Sequence, residues 1–217
     1  MFGHVSSVSV LPSPAIDIHA RLRSEQLQFL GALCPIVDIE VAPSRYSVLV
    51  SPKKIFLKPA ARVSGSVPKL RLLGEFWMDK QVPRSALYLV TSEWHAIQNG
   101  TMTEEALAEW LFVQAHEEGH NLFHRLQPNY LMRGRELRII NEAFAEVAAL
   151  YHTSHNRPEV LEALVQRNVV DENVLSTYRH YEPRIKDILR EFTLVHSGVN
   201  VLSNAAGELV SHFEYLF

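Results

Sequence analysis

Residues 101–126 read TMTEEALAEWLFVQAHEEGHNLFHRL, and this stretch decides how the chain is built. Thr101 followed by Glu104 has the spacing of a capping box, in which two side chains satisfy the open N–H groups of a helix start. Leu107, Trp110, Leu111 and Ala115 then recur at helical spacing. Pro128 and Asn129 are the first stop signals, so the pattern predicts a helix from Thr101 to about Leu126. Its flank, LAEWLFVQA, is apolar enough for a core helix. On that helix His116 and His120 stand four residues apart, on one face, where two imidazoles can converge on one ion. Glu117 follows the first histidine and can act on a metal-bound water without being a ligand. This is the HExxH arrangement of zinc-dependent hydrolases.

The chain holds 11 histidines in 217 residues, and at that frequency HExxH arises by chance in roughly one shuffled sequence in twenty. The motif therefore needs a third ligand. Residues 141–146 read NEAFAE, within a second helix predicted over 133–154. Glu142 and Glu146 share a face, among Ile139, Ile140, Phe144, Val147 and Leu150. If this helix packs antiparallel to the first, Glu142 reaches the ion, and Glu146, a turn further on, accepts the outer N–H of a ligand histidine. His124 lies roughly 80° around the helix from His116 and reads as a rim or cap residue. Glu118 reads as a bystander.

HEEGH followed by NEAFAE resembles the gluzincin metallopeptidases, in which two histidines and a downstream glutamate hold zinc. In thermolysin-like members the third ligand lies in an NExxxD segment, which Asn141, Glu142 and Glu146 match with Glu in place of Asp. The form HExGHxxxH, continuing to an E-A-x-x-A helix, is similar to the ImmA/IrrE group of small cytoplasmic regulatory peptidases. The resemblance covers about residues 105–152. It implies a single metallopeptidase-like domain with one Zn2+ per chain on His116, His120 and Glu142.

Texture divides the chain. Before residue 91, short apolar runs broken by Pro, Gly and Ser read as strands: VDIEVAP, YSVLVSP, KIFLKPA, KLRLLGEFWM and SALYLV. Alternation is clearest at Val37–Val41 and Lys69–Leu72. A helix over 16–31 precedes them, ending at Gly31. After residue 91 the pattern turns helical. Thr91 or Ser92 caps a short helix to Gln98, stopped by Asn99-Gly100, and Pro183 breaks the run from Asp171 to Val195. Strands followed by helices predict an α+β fold: a mostly antiparallel N-terminal sheet, then a helical half with the HExxH helix and a second zinc-ligand helix. The parts are a strand-rich 1–91, metal-binding helices over 92–156 and C-terminal helices over 157–217.

Bulk properties set the class. Charged residues make up 21% and the net charge is −3, so nothing draws the chain to nucleic acid. No apolar run has membrane length, and the N-terminal stretch lacks the pattern of a secretory signal. Cys34 is the single cysteine, which suits a reducing compartment. Its apolar setting, GALCPIV, reads as a buried, inert thiol. The expected location is cytoplasmic.

These readings lead to one expected activity, hydrolysis of peptide bonds in a protein or peptide substrate by a zinc-activated water, with Glu117 as general base. A further donor should steady the oxyanion. Tyr130, Tyr178, His180, Tyr181 and His196 are the candidates, with the segment Tyr178-Arg179-His180-Tyr181 foremost. An extended substrate can pair with an edge strand, KLRLLGEFWM or SALYLV. The alternatives are a protease acting as toxin or effector, and a non-catalytic gluzincin-fold scaffold for protein binding or regulation. The intact Glu117 speaks against the scaffold.

Overall fold

The computed structural model describes residues 18–37, 45–51, 73–127, 134–195 and 202–216. Their order is α1 (Ile18–Val37), β1 (Arg45–Ser51), β2 (Gly74–Asp79), β3 (Val82–Val90), α2 (Thr91–Gln98), α3 (Glu104–Leu126), α4 (Arg135–Asn156), α5 (Leu161–Gln166), α6 (Glu172–Tyr181), α7 (Ile185–Leu194) and α8 (Asn204–Ser211). Short 3₁₀ turns lie at Pro158–Val160, Glu182–Arg184 and Glu214–Leu216. The fold is α+β, a small sheet in the N-terminal half and helices after it. Among the described residues no helix is long and apolar enough to cross a membrane.

The sheet is mixed rather than mostly antiparallel, with strand order β1-β3-β2. β2 and β3 form a hairpin, closed at Asp79↔Val82, whereas β1 runs parallel to β3 from Arg45↔Arg84 to Ser51↔Val90. Parallel neighbours need a long connection, and residues 52–81, β2 among them, separate this pair. At the hairpin tip Lys80 and Gln81 both have positive φ, 48° and 69°, the pair of conformations that matches strand twist in a two-residue turn. Arg84 Nε donates to Asp79 Oδ2 at 2.7 Å across it. Pro83 is tolerated in the central strand because it lies one residue before the pairing with β1 begins. SALYLV is therefore central, and β2 is an edge among the described residues. The strands expected at VDIEVAP and KIFLKPA, and the alternation over Lys69–Leu72, lie outside the described residues, except that Val37 is the last residue of α1.

α1 runs past Gly31, its expected end, to Val37. Phe29, Leu30, Leu33 and Val37 continue the buried stripe begun by Ile18 and Leu22, and that burial outweighs the cost of about 1 kcal/mol for a helical glycine. Helix α2 already includes Thr91, so its cap is Val90 rather than Thr91 or Ser92, and Glu93 accepts from the Val90 N–H at 2.8 Å. The cap of α3 falls at Thr103 rather than Thr101. Thr103 Oγ1 accepts from the Ala106 N–H at 3.2 Å, while the Thr101 hydroxyl donates to the Ala96 carbonyl. Pro183 sits in the turn that separates α6 from α7.

α3 is the centre of the molecule. Leu107, Trp110, Leu111 and Val113 pack with Leu87, Leu89, Ile18 and Leu22 beneath the sheet. Phe112, Ala115, Leu122 and Phe123 pack into the helical core with Phe144, Val147 and Leu150 of α4. Between Leu107 and Phe123 every residue except His116 is buried. Glu109, Gln114, Glu117, Glu118, His120 and Asn121 are among the buried residues, so this interior helix carries polar groups into the core.

Candidate metal centre

The site begins with two small residues. A Cβ placed on Gly119 of α3 would lie 2.7 Å from the Cα of Ala145 in α4 and 3.1 Å from its Cβ. The two helices therefore cross with nothing larger than hydrogen between their backbones at this level. Gly119 is flanked by His116 and His120, and Ala145 by Glu142 and Glu146, so the close approach brings the four polar side chains to one place.

Their donors form a triangle. Glu142 Oε2 lies 3.6 Å from His116 Nε2 and 3.5 Å from His120 Nε2, and the three ligand atoms all lie within 4.8 Å of one another. Bonds of about 2.0–2.1 Å to a tetrahedral zinc separate donors by about 3.4 Å. The separations fit donors sharing an ion better than direct hydrogen bonds, which would be nearer 2.9 Å. The rings of His116 and His120 meet edge to face, with centroids 4.7 Å apart.

The outer nitrogens face α4. His116 Nδ1 lies 2.9 Å from Glu146 Oε2. Asn141 of α4 lies beside the His120 ring, but its Oδ1 and His120 Nδ1 are both buried without a hydrogen-bond partner among the described residues. Burial drives the His120 ring down to about 4, so it is neutral at ordinary pH, the state a metal ligand must have. Burial opposes charge on His116 too, but Glu142, Glu146 and Glu117 hold it well above the usual histidine range. Glu117 is pushed up to about 8 by burial, against the pull of His116 and with Glu142, Glu118 and Glu75 adding to the rise.

Strand β2 forms the wall opposite α4. A Cβ on Gly74 would stand 2.5 Å from Glu117 Oε1 and 2.7 Å from Val113 Cγ1, so only glycine lets the strand lie against the glutamate. Two residues on, Phe76 faces the rings of His120 and His124, at 6.3 and 6.1 Å. Behind the motif Tyr46 of β1 donates to the Gln114 carbonyl at 3.1 Å. Burial, and next Glu118, keep that phenol protonated.

Of the residues singled out in the sequence, the structure brings together His116, His120, Glu142 and Glu146, with Glu117 on the same helix. His124 stays outside the donor triangle, against Phe76. Glu118 is fully buried and accepts from Asn121 Nδ2 at 3.0 Å, a structural contact that its charge does not advertise. Tyr178 is a core residue whose hydroxyl meets Ser154 Oγ at 2.8 Å. His180 is exposed on α6, its ring against Tyr181, and the Tyr181 hydroxyl donates to Glu208 of α8 at 2.6 Å. Tyr130 and His196 lie outside the described residues. The sequence reading missed Gly74, Gly119 and Phe76. A glycine inside a helical pattern was the available signal, because it costs stability unless packing requires it. Comparison of the chain with protein-family models, characterised proteins and solved structures gave no match.

Proposed function

We propose that this protein is a zinc-dependent metallopeptidase that hydrolyses peptide bonds of a protein or peptide substrate. His116, His120 and Glu142 are its zinc ligands and Glu117 its general base. The observation that carries the reading is the donor triangle, with separations of 3.5 and 3.6 Å about Glu142 Oε2, built on the helix that also carries Glu117.

Zinc, when bound, polarises the substrate carbonyl and lowers the pKa of the water it holds toward neutrality. Glu117 takes the proton of the attacking water and delivers it to the leaving amine. Its burial suits this work, since a carboxyl raised to about 8 is a stronger base than an exposed one, and a nearby cation returns it to the ionised form. Glu146 holds Nδ1 of His116 and leaves Nε2 for the ion. Strand β2 offers an edge for an extended substrate, and Gly74 places that edge beside Glu117. The free thiol of Cys34 fits work in a reducing, cytoplasmic setting.

The test uses the zinc-loaded chain and a mixture of short peptides, with new termini read by mass spectrometry. Glu117→Gln should keep its zinc and generate no new termini. A Glu117→Gln protein that cleaves as fast as the unaltered one contradicts the mechanism.

A further inference from the structure

Two buried polar atoms beside the donor triangle have no hydrogen-bond partner among the described residues: Nδ1 of His120 and Oδ1 of Asn141. The two residues are 8% and 4% exposed. Buried polar atoms are nearly always paired, because an unpaired one has given up water and gained nothing in return. Two such atoms in one place, one able to donate and the other to accept, call for a common cause.

Helix packing sets them side by side. α3 and α4 run antiparallel through the Gly119–Ala145 contact. His116 meets Glu146 at 2.9 Å, and His120, a turn later on α3, meets Glu142, a turn earlier on α4, at 3.5 Å. Asn141 directly precedes Glu142 and stands one turn before Ala145, on the face of α4 that Gly119 touches. Glu142 lies toward Nε2 of His120. His116 meets the ring edge to face at 4.7 Å and Phe76 lies against it at 6.3 Å. That leaves Asn141 Oδ1 as the unpaired acceptor beside the ring.

A neutral imidazole carries one proton, and its partners decide which nitrogen holds it. For His120 neither choice is satisfied. Nε2 stands farther from Glu142 than an ordinary hydrogen bond allows, and Nδ1 has no partner. Engagement of Nε2 by a metal ion removes the choice, since the proton then resides on Nδ1.

We propose that Asn141 is the positioning residue of His120, its side-chain oxygen accepting the Nδ1–H bond once Nε2 holds a metal. This rests on the metal reading above. The two histidines are then oriented unequally. His116 leans on a carboxylate already in contact, Glu146, whereas His120 is held by a neutral amide whose bond closes on loading.

The experiment uses the full chain with 15N-labelled histidines, loaded with Zn2+, and reads the ring N–H protons by nuclear magnetic resonance. In the unaltered protein His116 and His120 should both carry the proton on Nδ1 and exchange it slowly with water. Asn141→Leu keeps the side-chain volume and removes the acceptor. With zinc still saturating, its His120 Nδ1–H should exchange about tenfold faster, the His116 signal should not change, and zinc affinity should fall about 10–100-fold. Asn141→Asp, which keeps an acceptor, should restore slow exchange and zinc affinity together, as a residue needed for packing alone would not. Equal exchange and affinity in Asn141→Leu and the unaltered protein overturn the assignment. So does an unaltered, zinc-loaded protein whose His120 Nδ1–H exchanges as freely as the ring of the exposed His180, a result that needs no variant to fold. If the unaltered chain takes up no zinc, the metal reading fails and the assignment with it, whereas bound zinc with a freely exchanging His120 proton overturns the assignment alone.

Discussion

Gly119 of α3 and Ala145 of α4 touch along their backbones: a Cβ on Gly119 would lie 2.7 Å from the Ala145 Cα and 3.2 Å from its carbonyl oxygen. Backbone cannot turn aside as a flexible side chain can. Gly119→Ala must therefore push the helices apart. The gain of about 1 kcal/mol in helix propensity is outweighed by overpacking, which costs about 1–3 kcal/mol. The expected result is a lower denaturant midpoint and zinc affinity reduced by at least about tenfold, because Glu142 moves with α4. Gly207, in α8, is the control. A Cβ there meets nothing within 4 Å, so Gly207→Ala should stabilise the protein by about 0.5–1 kcal/mol and leave zinc affinity alone.

Gly74 makes a different prediction, because its neighbour is a side chain. A Cβ there collides with the Glu117 carboxylate, 2.5 Å away, and with Val113. Gly74→Ala should displace Glu117 while His116, His120 and Glu142 keep their places. Zinc content should stay at that of the unaltered protein, and peptide cleavage should fall by about 100-fold, as for a displaced general base. Unchanged cleavage would show that the strand yields instead of the glutamate.

What the sequence made legible was local. His116, Glu117 and His120 could be placed because a helix turns identical spacing into a shared face, and Glu142 because the next helix had the same periodicity. The edge-to-centre order of the strands was not legible. It depends on β1 pairing with β3 across a long separation, and no pattern in YSVLVS distinguishes a parallel neighbour from an antiparallel one. The hairpin was hidden too, since Lys80 and Gln81 adopt positive φ without the glycine or asparagine that usually marks such a turn. Gly31 misled for a related reason: the stop signal was local, and the burial that overrode it came from α3 and α7.

Away from the metal group, Glu25 of α1 links to α4 through His152 and to Arg157 just beyond it, with Oε1 2.5 Å from Arg157 Nη2. The hydrogen bond from His152 and the charge of Arg157 lower the Glu25 carboxyl below its usual 4.5 despite burial. The folded state thus stays ionised where the unfolded chain has begun to take up protons. The stabilisation is complete above about pH 4.5 and disappears as pH falls through the lowered value. Glu25→Gln should cost about 2 kcal/mol at neutral pH, measured by urea unfolding. Between pH 5 and pH 3 its stability should fall less steeply than that of the unaltered protein. Parallel curves would mean that Glu25 contributes nothing through its charge.

Two histidines of one helix and a glutamate of the next are proposed to hold one zinc. Metal analysis of protein purified without added zinc tests it most directly, on the unaltered chain and on His116→Ala, Glu142→Ala and Glu117→Gln. About one zinc per chain is expected in the unaltered and Glu117→Gln proteins, and loss of zinc from the other two. Stoichiometric zinc in Glu142→Ala, or none in the unaltered chain, would contradict it.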